Sequence, residues 1–121
     1  MPDYSYDDQD TISKIKMGLH KGLRVVTIRS KEVYDTVKLK NKLQSKKKSK
    51  SKATREMGES VYQMFKVKNE YDLEIIRSKC VDIAKIDQEI ADTEEEINLV
   101  HLNAKKKLGE LKAISKPKEN Y

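Results

Sequence analysis

The groups in this chain that could do chemistry are few and widely spaced: Cys80, His20, His101 and a run of carboxylates. Asp87, Glu94 and His101 recur every seven residues, on one flank of a helix if the segment is helical. With Asp92, Glu95 and Glu96 they form an acidic patch of the kind that attracts hard cations or an iron-bearing mineral surface. A di-iron bundle needs Glu-x-x-His pairs, but Asn98 stands three residues before His101. No metal ligand set, cofactor site or small-molecule substrate is therefore assigned. Cys80 falls in an apolar helical phase with Ile76 and Ile83, which predicts a buried, inert thiol. No histidine lies near it in sequence, so nucleophilic catalysis finds no support. His20 and His101 read as surface residues. No catalytic residues are assigned and a non-enzymatic protein is expected.

A second chemistry is electrostatic. Lys46, Lys47, Lys48, Lys50 and Lys52 belong to a stretch from Lys38 to Arg55 that holds no acidic residue. Such a run can neutralise nucleic-acid phosphates without reading sequence, but no aromatic residues interleave it. From Asp82 to Glu96 the chain reads DIAKIDQEIADTEEE. If the chain folds back near Asn69, the basic and acidic blocks lie side by side. Mutual pairing is then a simpler use of these lysines than nucleic acid.

The elements that would position these groups are long helices. The 121 residues are 36% hydrophobic and 38% charged, with four glycines and two prolines. This is too polar for a thick core and too poor in turn residues for a β fold. The net charge is +6 and the pI about 9.3, which suits anionic partners. One cysteine excludes an internal disulfide and suits a reducing cytoplasm. No stretch approaches the roughly 18 apolar residues of a membrane span, and the acidic opening PDYSYDDQD is unlike a secretory signal.

Residues 1–9 are expected to form a flexible acidic arm, with Asp8 or Asp10 capping the first helix. Ile12, Ile15, Leu19, Leu23, Val26, Val33 and Val37 then recur at spacings of three and four, with Ser30 left polar. The same phase passes through Lys40, Gln44, Lys47, Ser51 and Thr54 and regains apolar residues at Met57, Val61, Met64 and Phe65. The lysine–serine run between is either helix or linker. The bend falls at 66–72, with Asn69 tolerating a left-handed helix end and Asp72 capping the next helix. The second seam comprises Ile76, Cys80, Ile83, Ile86, Ile90, Thr93, Ile97, Val100, Ala104, Leu108 and Leu111, a coiled-coil pattern.

The reading is an all-α protein: a long antiparallel two-helix coiled-coil hairpin, with helix 1 over about 10–65, helix 2 over about 73–114 and a tail at 115–121. A bend near Asn69 pairs residue i with roughly residue 137 minus i. Lys50 then lies near Asp87, Lys47 faces Ile90 and Val33 faces Ala104. Residues 10–23 overhang, and Ile12, Ile15, Leu19, Leu23 and Val26 form an uncovered docking face. Lys14, Lys16, Lys21 and Arg24 accompany that face, so it suits an acidic membrane surface. Gly18 and Gly22 equally permit close helix–helix approach in a homo-oligomer. An open rod, straightened at 66–72, is the remaining arrangement.

At residues 53–65 the sequence ATREMGESVYQMF resembles a group of small bacterial coiled-coil proteins whose first helix ends in a lysine-rich stretch followed by Leu-Gly-Glu-x-Val-Tyr. Lys21-Gly22-Leu23 and Thr36-Val37-Lys38-Leu39-Lys40 extend the resemblance, which covers about 14–112. It implies a helical hairpin. Many members end in a zinc ribbon with paired cysteines, and a chain with one cysteine cannot build that ribbon. The function expected is a cytoplasmic scaffold or adaptor, peripheral to the inner face of a membrane if the docking face takes lipid. Nucleic-acid binding through Lys46–Lys52 and cation or mineral binding through the acidic patch are the alternatives.

Overall fold

The computed structural model describes residues 4–115, with side chains for residues 10–113. Two α-helices account for almost all of it: α1 from Tyr4 to Lys68 and α2 from Leu73 to Ser115. They form an all-α helical hairpin divided into two compact units. Unit 1 takes its described residues from the stretches ending at Asp35 and starting at Val100; unit 2 is Thr36–Leu99.

Unit 2 contains the turn. The Asn69 amide donates to the Phe65 carbonyl at 3.2 Å, and Asn69 has φ of 49°. Left-handed backbone at a helix end is tolerated by asparagine better than by most residues with a Cβ. Asp72 then caps α2: its Oδ1 accepts from the amides of Glu74 at 3.1 Å and Ile75 at 3.3 Å. Two donors of the first turn that have no partner within the helix are thereby satisfied. Both turn residues were legible in the sequence.

The lysine–serine run lies within α1 and is helical. Its hydroxyls do not compete with the helix, because they bond back along it. Ser49 Oγ donates to the Ser45 carbonyl at 3.1 Å and Thr54 Oγ1 to that of Lys50 at 2.8 Å. Between the helices, Lys46 meets Glu89 at 2.5 Å and Lys50 meets Asp87 at 2.6 Å. Lys50–Asp87 is the pair the sequence register places together. Partial exposure screens these contacts, so each contributes about 0–1 kcal/mol.

The seam of α1 differs by about one residue from the expected phase. Val26, Val33 and Val37 are 61%, 60% and 52% exposed. The residues turned inward are Lys21, Val25, Ile28, Glu32 and Asp35 in unit 1, and Thr36, Leu39, Leu43, Lys46, Lys50, Ala53, Met57, Ser60, Val61 and Met64 in unit 2. Val33 therefore does not face Ala104, and Lys47, which the register set opposite Ile90, is exposed with Lys40, Gln44, Ser51 and Thr54. The first helix carries two apolar stripes. The seam is the stripe that continues, through Leu39, Leu43 and Ala53, into the middle of the chain where the other has only polar residues. Continuity along the partner outweighs local apolarity.

On α2 the expected seam holds except at Cys80. That residue is exposed, and Lys79 takes the half-buried position between Ile76 and Ile83. The Cys80 Sγ lies 3.5 Å from Met57 Sδ, so the thiol rests at the rim of the seam instead of inside it.

Few residues are buried among those described: Thr36 and Thr93 in unit 2, and Ala104 in unit 1. Thr93, 1% exposed, donates from Oγ1 to the Glu89 carbonyl at 2.7 Å. Thr36 Oγ1 is buried without a partner. Seam spacings in α2 run 3-4-4-3 through Ile97, Val100, Ala104, Leu108 and Leu111. Two successive steps of four make a stutter, which locally relaxes supercoiling.

Helix α1 begins at Tyr4, so residues 4–9, expected as an arm, continue the helix, and neither Asp8 nor Asp10 stands at a cap position. Residues 1–3 and 116–121, the remaining parts of the expected arm and tail, lie outside the described residues.

Candidate docking face

A face of α1 in unit 1 carries exposed apolar side chains that no described element covers. Ile12, Ile15, Leu19, Leu23 and Val26 are 50%, 56%, 63%, 66% and 61% exposed, and Val33 continues the spacing. At about 100° per residue, this stripe lies roughly 140° around the helix from the seam residues Val25, Ile28 and Glu32. The stripe is thus not the fringe of the hairpin core. It is a second, outward face of the same helix.

Every described residue from Asp10 to His20 is exposed, so α1 overhangs its partner there. Lys21 is the first described residue of α1 to be partly covered, and Leu111 the last of α2. A Cβ built on Gly18 or Gly22 would meet nothing within 4 Å. Among the described residues no element uses the small-residue pair for close approach.

Local bonds along α1 here are few. Lys14 pairs with Asp10 at 3.5 Å, one helical turn back, and Thr27 Oγ1 donates to the Leu23 carbonyl at 2.8 Å. Such contacts stabilise a helix by only tenths of a kcal/mol each, so most of the order of this segment comes from its continuity with the packed part of α1.

Below the overhang, unit 1 is fastened by a polar clasp that sequence reasoning did not single out. His101 Nδ1 donates to Glu32 Oε2 at 2.8 Å, and Arg29 Nη1 donates to Glu32 Oε1 at 3.0 Å. The Glu32 side chain is 11% exposed. The hydrogen bond from His101, then that from Arg29, hold its carboxyl below the ordinary glutamate value. The signal was present but ambiguous: Glu32 follows Ile28 by four residues, on the true seam, where a carboxylate looks like an interruption.

That lowered value has a defined consequence. A carboxyl whose folded pKa is depressed contributes stability above its unfolded pKa and loses it as pH falls through the folded value. The clasp therefore weakens only below the ordinary glutamate range, near about 4.3. Replacing His101 with alanine is expected to raise the titration midpoint of the Glu32 side-chain carboxyl, followed by carbon-13 NMR. An unchanged midpoint would show that the cross-helix bond is not made in solution.

The other candidate groups separate. Lys46 and Lys50 are half-buried and paired with α2, whereas Lys47, Lys48 and Lys52 are exposed. The five lysines do not share one free face. Asp87 is held by Lys50 and Asp92 accepts from Gln88 Nε2 at 2.9 Å. Asp92, Glu94, Glu95 and Glu96 are exposed, and neighbouring positions are fanned around the helix by about 100° each. Among the described residues no group of three or more His, Cys, Asp or Glu side chains could hold a metal ion. No described helix is long and apolar enough to cross a membrane.

A shallow groove beside the turn is lined by Tyr62, Val67, Tyr71 and Ile75 among others. It is open to solvent, and Glu56, Glu59, Lys68, Glu70, Asp72 and Lys79 also line it. No family model, curated protein or solved structure matches the chain.

Proposed function

We propose that this protein is a non-enzymatic helical-hairpin scaffold or adaptor that docks through the outward face of α1 to a membrane surface or a protein partner. The observation that carries this reading is the exposed stripe Ile12–Ile15–Leu19–Leu23–Val26, set apart from the hairpin seam. Contiguous exposed apolar surface of this kind marks interaction sites. The hairpin supplies a support: the turn is capped at both sides, and the charge pairs Lys46–Glu89 and Lys50–Asp87 fix the register of α1 on α2. Two of the five lysines of the basic run are thereby committed within the chain, which favours the scaffold over a nucleic-acid binder. The scattered carboxylates of α2 likewise give little support to cation or mineral binding. A seam with so few fully buried groups would gain from further packing, and homo-oligomerisation belongs to the same reading.

The test is to express the tagged full chain and a Leu19→Glu/Leu23→Glu variant in cells and fractionate the extracts by sedimentation. The parent is expected in a membrane fraction or a large complex, and the variant at its own small mass. Identical profiles for the two would refute docking through this face.

A further inference from the structure

The charge around the stripe indicates what covers it. From Thr11 to Lys31 there are six basic residues, Lys14, Lys16, Lys21, Arg24, Arg29 and Lys31, and no acidic ones. Over its full span unit 1 holds twelve Lys and Arg against eight Asp and Glu, which is +4 of the chain's +6. Unit 2 holds fourteen against twelve. The segment that carries the exposed apolar face is thus uniformly basic from Thr11 to Lys31.

Three features separate the possible occupants. A second copy docking stripe to stripe would bring two strongly basic segments together, and like-charge juxtaposition opposes that. Protein interfaces are anchored by Trp, Tyr and Arg in fitted pockets. The stripe from Ile12 to Val33 is wholly aliphatic apart from Ser30, and no Trp, Tyr or Phe lies between Thr11 and Val33. Branched aliphatic side chains suit fluid acyl chains, which need no shape match. With no described helix able to cross a bilayer, such a segment lies along the surface, its apolar face at the headgroup–acyl boundary and its basic face toward the phosphates.

We propose that α1 binds an anionic lipid bilayer in this way, with Ile12, Ile15, Leu19, Leu23 and Val26 inserted and Lys14, Lys16 and Arg24 drawn to the lipid phosphates. This rests on the docking reading above and assigns its partner. Lys16 is one turn from both Ile12 and Leu19 and borders the stripe; Lys14 and Arg24 lie farther round the helix and act through the surface potential. Attraction of this kind falls off over about 8 Å at physiological ionic strength, so binding requires anionic lipid and weakens with salt.

The experiment is flotation of the purified full chain with phosphatidylcholine vesicles, alone or mixed with phosphatidylglycerol. The parent is expected to float only with the anionic vesicles. Leu19→Glu/Leu23→Glu and the uncharged Leu19→Gln/Leu23→Gln variant are both expected to lose binding at least tenfold while keeping their helical circular dichroism. Lys16→Gln/Arg24→Gln is expected to lose binding by up to about twentyfold, at roughly fivefold per basic residue. A parent that does not float overturns the lipid assignment. So does flotation that survives both stripe variants and disappears when Lys47, Lys48 and Lys52 become glutamine. If the purified chain fails to float while its cellular sedimentation still differs from that of the stripe variant, docking stands and its partner is a protein.

Discussion

Ile28→Asp is expected to lower the unfolding free energy by about 2–3 kcal/mol, whereas Val26→Asp, two residues away, changes it by no more than about 0.5. Ile28 lies on the seam and is half-buried. Aspartate there loses the aliphatic contact and brings a charge into the helix–helix interface. Val26 is 61% exposed on the opposite face, so a carboxylate there stays in water. Urea titration followed by circular dichroism measures both. A reversed order, with Val26→Asp the costlier change, would mean that α1 packs through the stripe, and equal losses would mean that the two faces do not differ in burial. The pair also separates stability from docking. Under the proposed docking, Val26→Asp is expected to impair vesicle binding in a protein that folds as the parent does.

The second large effect concerns register. Lys46→Glu/Lys50→Glu removes the bonds to Glu89 and Asp87 and sets like charges against each other. The expected cost is about 2 kcal/mol. It comprises the loss of two partly exposed pairs and a repulsion of similar size. Adding Asp87→Lys/Glu89→Lys, which restores both pairs in reversed polarity, is expected to recover most of that loss. The destabilised double variant should gain stability with salt, because screening weakens its repulsion. If the fourfold variant were no more stable than the double, these cross-helix pairs would not form in solution, and the register would rest on the isoleucines of α2 alone.

Much of this architecture was legible from local chemistry. Asn69 and Asp72 mark the turn because a left-handed position and a helix cap each favour particular side chains, and both effects act within four residues. The α2 seam was legible because isoleucine dominates a single phase, with no competing stripe. Cys80 was misplaced because sulfur is apolar enough to pass for a core residue, whereas the stem of Lys79 fills that position as well. The overhang followed from unequal helix lengths around a known bend.

Helix α1 was harder, since it has two apolar faces about 140° apart and each satisfies a three-and-four spacing. Periodicity measures whether a face is apolar and says nothing of what lies against it. The sequence by itself determined the helical class, the residues that make the turn, the α2 seam and the two blocks of opposite charge, because propensity, capping and periodicity are properties of neighbouring residues. Only the tertiary structure decided that Val25 and Ile28 face α2 while Leu23 and Val26 face solvent, and that Glu32 is clasped by His101, sixty-nine residues away. Those outcomes depend on which stripe can stay in contact along the whole partner helix, a competition settled only when the two helices pack.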